Sequence, residues 1–360
     1  MKQNWKTDEL VDHGPYKNQE LDLRKVGLNP NFWYPIAQSK DVKKEKTYGV
    51  NFGGEPIVLI RTKSNQVFAL EDRCIHRQIP LSQGVVCGSK LKCTYHGWTY
   101  DETGKLAGVP YLPPGIPIPK GVKSYPCRED YNHIFVFPGV AELAETVPFP
   151  DIENPTSNDY KTMYFSRRVN CHYSFLLENL MDMNHQFLHR RLMGKVKPSL
   201  IENSQGDNWV EAKYKFKGEP HPTAHLVLAA GRNNEDTATD FDIMTIRTEY
   251  PYQTLTVCGP NSSLPALKLW VSYIPVDKEQ KINHSFGMLM IRRPKIPGLL
   301  TLLWPLMRYF TGEIFAEDKM AVETEQKAYD MQGGDWNQEI FPLLLDVREL
   351  LRKKGIPLNQ

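Results

Sequence analysis

No long hydrophobic run occurs anywhere in the 360 residues. A membrane-spanning helix needs about 18 or more consecutive apolar residues. The nearest approach, Ile296 to Phe310, is interrupted by Pro297, Gly298, Pro305 and Arg308. No apolar stretch precedes residue 32, so no secretory leader is expected and a reducing cytoplasm is the default compartment. Charge of one sign is also lacking: 44 Lys and Arg face 42 Asp and Glu, a formal net charge of +2. Such a balance gives no electrostatic case for nucleic acid or an acidic surface as partner. Only six cysteines are present, and their spacing points to metal ligation rather than a disulfide framework. There is no internal repeat, no low-complexity tract, and no GxGxxG or other nucleotide-binding pattern.

What is present is ordinary soluble composition, 41% hydrophobic and 24% charged, with 27 prolines that favour many strand-to-loop transitions over a helical bundle. Residues 1 to 30 are polar and mixed, an irregular or helical arm. From 31 to 140 short β-like runs alternate with turns: Pro56 to Ile60, Gln66 to Leu70, His133 to Phe137, and Asn51-Phe-Gly-Gly54 as turn chemistry. A linker rich in Pro, Glu and Asn follows, and a second domain fills 141 to 360. Within it Trp209 to Lys217 alternates apolar and charged residues as a half-buried strand does. Lys268 to Pro275 and His284 to Arg292 flank a polar turn and read as a long β-hairpin. Helices are expected over Ser174 to Arg191 and Ile314 to Tyr329. The class is α+β: an all-β N-terminal domain, then an antiparallel sheet with helices.

The strongest chemical signal is Cys74-Ile-His76, then sixteen residues, then Cys93-Thr-Tyr-His96. Each short loop offers one thiolate and one imidazole. A two-iron cluster with two His on one iron uses that donor set. A tetrahedral zinc would accept the same four residues, although zinc modules more often group the cysteines together and the histidines together. Cys87, Cys127, Cys171 and Cys258 fall outside the pattern and are expected to be small buried or semi-buried thiols. His133, at a turn, is expected at the surface, and no spacing supports His172 as a ligand.

A second constellation is Glu178-Asn-Leu-Met-Asp182-Met-Asn-His185-Gln-Phe-Leu-His189. Two His and one carboxylate on one face commonly hold oxygen-activating iron(II). On a regular helix His185 and His189 project from one side, with Asp182 and Asn179 on a neighbouring stripe. The apolar neighbours Leu180, Met183, Phe187 and Leu188 argue against a merely solvated face.

The Cys-x-His and Cys-x-x-His loops, together with Arg73 to Arg77 and Tyr95-His-Gly-Trp98, resemble the cluster motif of Rieske non-haem iron oxygenases. The resemblance continues through Asn179-x-x-Asp182-x-x-His185 and His189, and covers about Asn31 to Gln326. It implies an N-terminal Rieske domain, a helix-grip-like catalytic domain and a homotrimer. It implies that Cys74, His76, Cys93 and His96 hold a [2Fe-2S] cluster, and that His185 and His189 bind a mononuclear iron. Asp182 would couple that iron to His96 of a neighbouring subunit. The late helix Phe315 to Gln326 resembles the family's carboxylate-bearing helix and implies Asp318 as third ligand. Glu317 is expected to point elsewhere, and Glu323 and Glu325 to be ordinary surface charges. The family usually places four residues between its two histidines; this chain has three, which a regular helix accommodates.

Function follows from that resemblance. A separate reductase using NADH or NADPH, with or without a ferredoxin, would feed the cluster, a one-electron store. The iron would then use dioxygen to hydroxylate or oxidatively demethylate a small organic substrate. Chain length and the Asn-Leu-Met-Asp phrase resemble the vanillate demethylase-like and steroid hydroxylase-like group, favouring monooxygenation over dihydroxylation. The apolar segment 296–310 is open to three readings: a buried helix or subunit contact, a lid over a channel for an apolar molecule, or a peripheral membrane contact. The competing functions are a Rieske electron-transfer or redox-sensing protein without oxygenase activity, and a zinc-stabilised binding module.

Overall fold

The computed structural model describes residues 22–153, 155–220, 243–259 and 264–358. The arm read over residues 1–30 falls mostly outside these. Of its described part, Val26–Gly27 pairs with Ile356–Pro357 near the other end of the chain.

The N-terminal half is built from three small antiparallel sheets. In one, Lys46–Phe52 and Glu55–Arg61 form a hairpin closed by Gly53 and Gly54, both at positive φ (54° and 83°). Two left-handed residues are what a two-residue hairpin turn requires, and glycine adopts them without a Cβ clash. The turn also docks: the Gly53 and Gly54 amides donate to the Pro275 and Val276 carbonyls at 2.8 and 2.9 Å. A Cβ at Gly54 would collide with the Lys278 side chain. Beside it, Trp33, Phe135 and Phe137 pack with Ile152, Trp270 and Met288, so an apolar cluster joins the two halves.

The C-terminal half is one seven-stranded antiparallel sheet. Its order is Tyr160–Val169, Asn283–Arg292, Leu267–Pro275, Tyr252–Cys258, Ile243–Glu249, Trp209–Pro220, Gly194–Gln205. The expected hairpin is present, with Leu267 opposite Ile291 and Pro275 opposite Asn283. The alternation over Trp209 to Lys217 is seen as well: Val210, Ala212 and Tyr214 are buried while their neighbours face outward. A helix, Tyr173–Met181, is hung on this sheet by two buried side chains. Tyr214 Oη donates to the Met181 carbonyl at 3.0 Å, and Gln253 Nε2 donates to the Leu177 carbonyl at 2.9 Å. The apolar segment and the late charged helix prove to be one element, Leu299–Gln332. It buries Leu300, Met307 and Phe310 while leaving Leu302, Leu306 and Tyr309 exposed.

A buried ion triad ties distant segments to that first helix. Glu178 meets Arg24 at 2.7 Å on one oxygen and Arg348, from the helix Pro342–Lys354, on the other. Burial pushes the Glu178 carboxyl toward neutrality, but the two guanidinium groups outweigh it and hold its pKa below the usual range. Glu178→Ala would leave two buried cations unpaired, a loss of about 3–5 kcal/mol. Chemical denaturation should show it as a lowered midpoint. Because the folded pKa is depressed, the triad's contribution is present above the unfolded value of about 4.3 and fades as pH falls through the folded one. Wild type and variant should therefore converge in stability on acidification.

Candidate metal centres

The first centre sits at the edge of the sheet formed by Val85–Cys87, Lys90–Lys92, Thr99–Tyr100 and Leu106–Gly108. Its two loops are near copies of each other. In each, the cysteine amide donates to the carbonyl five residues on (Ile79, 2.9 Å; Trp98, 2.8 Å). In each, the residue four on returns a bond to the cysteine carbonyl (Gln78, 2.8 Å; Gly97, 3.1 Å). Both returning residues are left-handed, φ 60° and 73°. These bonds bend each loop around its thiol. Cys74 and Cys93 are buried in an apolar cluster with Leu81, Leu91 and Tyr100. Burial pushes the Cys93 thiol up, with the neighbouring Cys74 adding to the effect. Tyr100 Oη shares a hydrogen bond with Cys74 Sγ at 3.2 Å and accepts the Ile75 amide at 3.2 Å.

His76 and His96 stand at the exposed end with ring centres 4.4 Å apart, and His76 lies flat on Trp98 at 4.6 Å and 2°. Thiols inside and imidazoles outside make a two-ended cradle, which suits two irons with different ligand pairs. Metal binding also supplies the positive charge that lets buried thiolates exist. Among the described residues, the one place where three His, Cys, Asp or Glu donors converge within 4.8 Å is a different set, His185, His189 and Asp318. The four-fold convergence expected of a tetrahedral zinc is thus not the arrangement of the Cys–His loops.

At the second centre the helix stops at Met181. Asp182 leaves helical geometry (φ −85°, ψ 90°) and caps a short 3₁₀ turn, Met183–Phe187. Its carboxylate accepts the Asn184 amide at 2.9 Å, and its carbonyl accepts the His185 amide at 3.2 Å and also His185 Nδ1. The continuous helix expected over Ser174 to Arg191 is therefore corrected. An Asp competes for backbone donors and favours a cap over a helix interior. His189 then precedes a last turn, Arg190–Met193, as its N-cap. The shortened spacing does not give a regular helix; the chain breaks and still brings the two rings to 5.1 Å.

Asp318 Oδ1 lies 3.0 Å from His189 Nε2 and 3.6 Å from His185 Nε2. Each histidine is held by its other nitrogen, His185 by the Asp182 carbonyl and His189 by Glu317 Oε2 at 2.9 Å. With Nδ1 donating, Nε2 carries the lone pair, so three acceptor atoms face one another. His189 Nε2 and Asp318 Oδ1 are buried without a hydrogen-bond partner. Acceptors converging without a donor suit a cation. Burial alone would lower the His189 pKa, yet the Asp318 and Glu317 carboxylates outweigh it and raise it, another sign of a site that attracts positive charge. Two histidines and one carboxylate are the donor set of an oxygen-activating iron(II).

Residues 32–126 match the model of the Rieske [2Fe-2S] domain, and 169–341 match that of the vanillate O-demethylase oxygenase C-terminal domain. The 4beta-methylsterol monooxygenase of Methylococcus capsulatus is 30% identical over 352 residues, covering 94% of this chain and 92% of the relative. This chain is a Rieske non-haem iron oxygenase. A vanillate O-demethylase oxygenase subunit from a Pseudomonas species is 28% identical over 312 residues, 82% of this chain and 86% of that one. The crystal structure of dicamba monooxygenase bound to dicamba shares the fold: TM-score 0.71, 23% identity, 91% of this chain and 98% of that chain covered. The cofactors of this Rieske oxygenase are accordingly a [2Fe-2S] cluster and a non-haem iron, with dioxygen as co-substrate. Among its described residues no helix is long and apolar enough to cross a membrane.

Several expectations are corrected. Glu317 does not point away: consecutive helix positions differ by about 100°, so Glu317 and Asp318 flank the two nitrogens of one imidazole. No spacing rule marks such a partner, because its contact is with a histidine from another element. Glu317→Ala should loosen the His189 ring and weaken iron binding about 10–100-fold, read by competition with a chelator. Glu323 behaves as the charged helix face expected of it, pairing with Lys319 one turn earlier at 3.7 Å, and it also accepts the Asn170 amide at 2.8 Å. His133 is buried, not exposed. Its strand is sandwiched against Tyr164 and Phe286, Nδ1 bonds the Tyr131 carbonyl at 2.9 Å, and burial lowers its pKa to about 4. Cys87 is exposed at a hairpin end, opposite Lys90. His172 caps the Tyr173–Met181 helix through Ser174 and takes no part in the centre.

Beside the three donors opens a cavity of about 180 Å³ lined mostly by apolar side chains, among them Leu180, Met244, Leu269, Leu289 and Phe315. On the other side His185 faces a polar groove of about 350 Å³ that includes Asp182, Asn179, Glu325 and Asn337.

Proposed function

We propose that this oxygenase inserts oxygen into a small neutral apolar or aromatic substrate, by hydroxylation or oxidative demethylation, drawing electrons from a separate NAD(P)H-dependent reductase, directly or through a ferredoxin. The observation that carries the reading is the apolar cavity abutting His185, His189 and Asp318. When bound there, iron(II) activates dioxygen beside whatever fills the cavity. His185, His189 and Asp318 hold the metal, Glu317 and the Asp182 carbonyl fix the two rings, and the apolar walls keep water away from the reacting carbon. Cys74, Cys93, His76 and His96 hold the cluster.

The polar groove supports a further part of the reading: the chain works as a homotrimer, and His96 of a neighbouring subunit reaches Asp182 there. Monooxygenation is favoured because full-length relatives carry monooxygenase and demethylase names. The working compartment is the cytoplasm. The test is turnover under ¹⁸O₂ with a surrogate reductase and a panel of neutral aromatics and terpenoids. One labelled oxygen per product, or per released formaldehyde, supports the reading; dioxygen consumption that no panel member stimulates contradicts it.

A further inference from the structure

One polar side chain in the apolar cavity has no structural use. Gln186 follows His185 directly, is only 6% exposed, and lines the cavity. Its Nε2 is buried with no hydrogen-bond partner among the described residues. Its backbone is fixed between the two histidines, its carbonyl accepting the His189 amide at 3.1 Å. Buried amides are almost always paired, and an unpaired one needs a reason.

Among the described residues that line it, Gln186, the three metal donors and Thr311 are polar, and none is Lys or Arg. A neutral oxygen would meet a waiting N–H.

We infer that Gln186 orients the substrate by donating its Nε2–H to one uncharged oxygen (a hydroxyl, ether or carbonyl) on an otherwise apolar skeleton. This rests on the cavity being the substrate site. The cavity, about 180 Å³, slightly exceeds the roughly 150 Å³ that admits a benzene ring. The group held beside the iron is therefore one ring or a short branched piece. Any longer skeleton extends toward the mouth. A site built around a hydrogen bond rejects analogues that lack the oxygen, because its own donor is then left unpaired.

The test uses anaerobic iron(II)-loaded enzyme and two matched probes, toluene and 4-methylphenol, titrated by calorimetry. Wild type should bind 4-methylphenol about tenfold more tightly than toluene. In Gln186→Met, an apolar side chain of similar length, the preference for 4-methylphenol should vanish while toluene binds at least as well. Without any probe, Gln186→Met should melt higher than wild type, since it removes an unpaired buried amide. A lower melting temperature would show the amide already satisfied and overturn the inference. A phenol-to-toluene ratio unchanged by Gln186→Met, with toluene binding abolished by cavity-filling Leu180→Phe, overturns the role of Gln186 alone. Toluene binding that survives Leu180→Phe overturns the cavity as substrate site.

Discussion

Asp182→Asn should stop coupled turnover, by about 100-fold or more, while both metal centres stay filled. Residues that hold a metal's ligands in place typically carry 10–100-fold of activity, and Asp182 is proposed to carry the link between two subunits as well. The substitution separates that role from folding. Asparagine still accepts the Asn184 amide as an N-cap, and the carbonyl that holds His185 Nδ1 belongs to the backbone. What is removed is one negative charge facing the polar groove. Iron and sulfide content and the reduced-cluster spectrum should match wild type. Substrate-dependent oxidation of the pre-reduced cluster by dioxygen should be slow. Normal turnover by Asp182→Asn would remove Asp182 from the electron path.

Asp318→Ala should lose the mononuclear iron outright and bring turnover below about 1% of wild type. Its oxygen is the point to which both histidines are directed, 3.0 and 3.6 Å away. Two neutral imidazoles alone lack the carboxylate that this hard cation needs to complete its site. Nothing in the Cys–His loops depends on Asp318, so the cluster should remain. Asp318 lies on the Leu299–Gln332 helix, where alanine is the best helix former, so the variant should fold. Retention of a full iron complement in Asp318→Ala would move the third ligand elsewhere.

Much of this was readable in the residues because ligand spacing is local. Cys74-x-His76 and Cys93-x-x-His96 each lie within one tight loop, and strand alternation over Trp209 to Lys217 reports burial directly. Asp318 was reached only through resemblance: it is 129 residues beyond His189, and no periodicity links them. The features missed all depend on tertiary partners. The helix break at Asp182 reflects a side chain capturing backbone donors, which a periodicity of apolar residues does not register. Glu317 is chosen by the second nitrogen of a ring from another element. His133 looks like a turn residue in sequence, yet the sheet that covers it comes from residues 160 to 292. Cys87, ordinarily a buried type, is lifted to the surface by a hairpin end. Gln186 could be noticed only once its surroundings were known to be apolar.

The most direct test of two cooperating metal centres is the iron, zinc and acid-labile sulfide content of anaerobically purified protein. A [2Fe-2S] cluster plus one iron at His185, His189 and Asp318 predicts three irons and two sulfides per chain, with negligible zinc. Two irons and two sulfides, persisting after reconstitution with iron(II), would contradict the account and leave an electron carrier or redox sensor in its place.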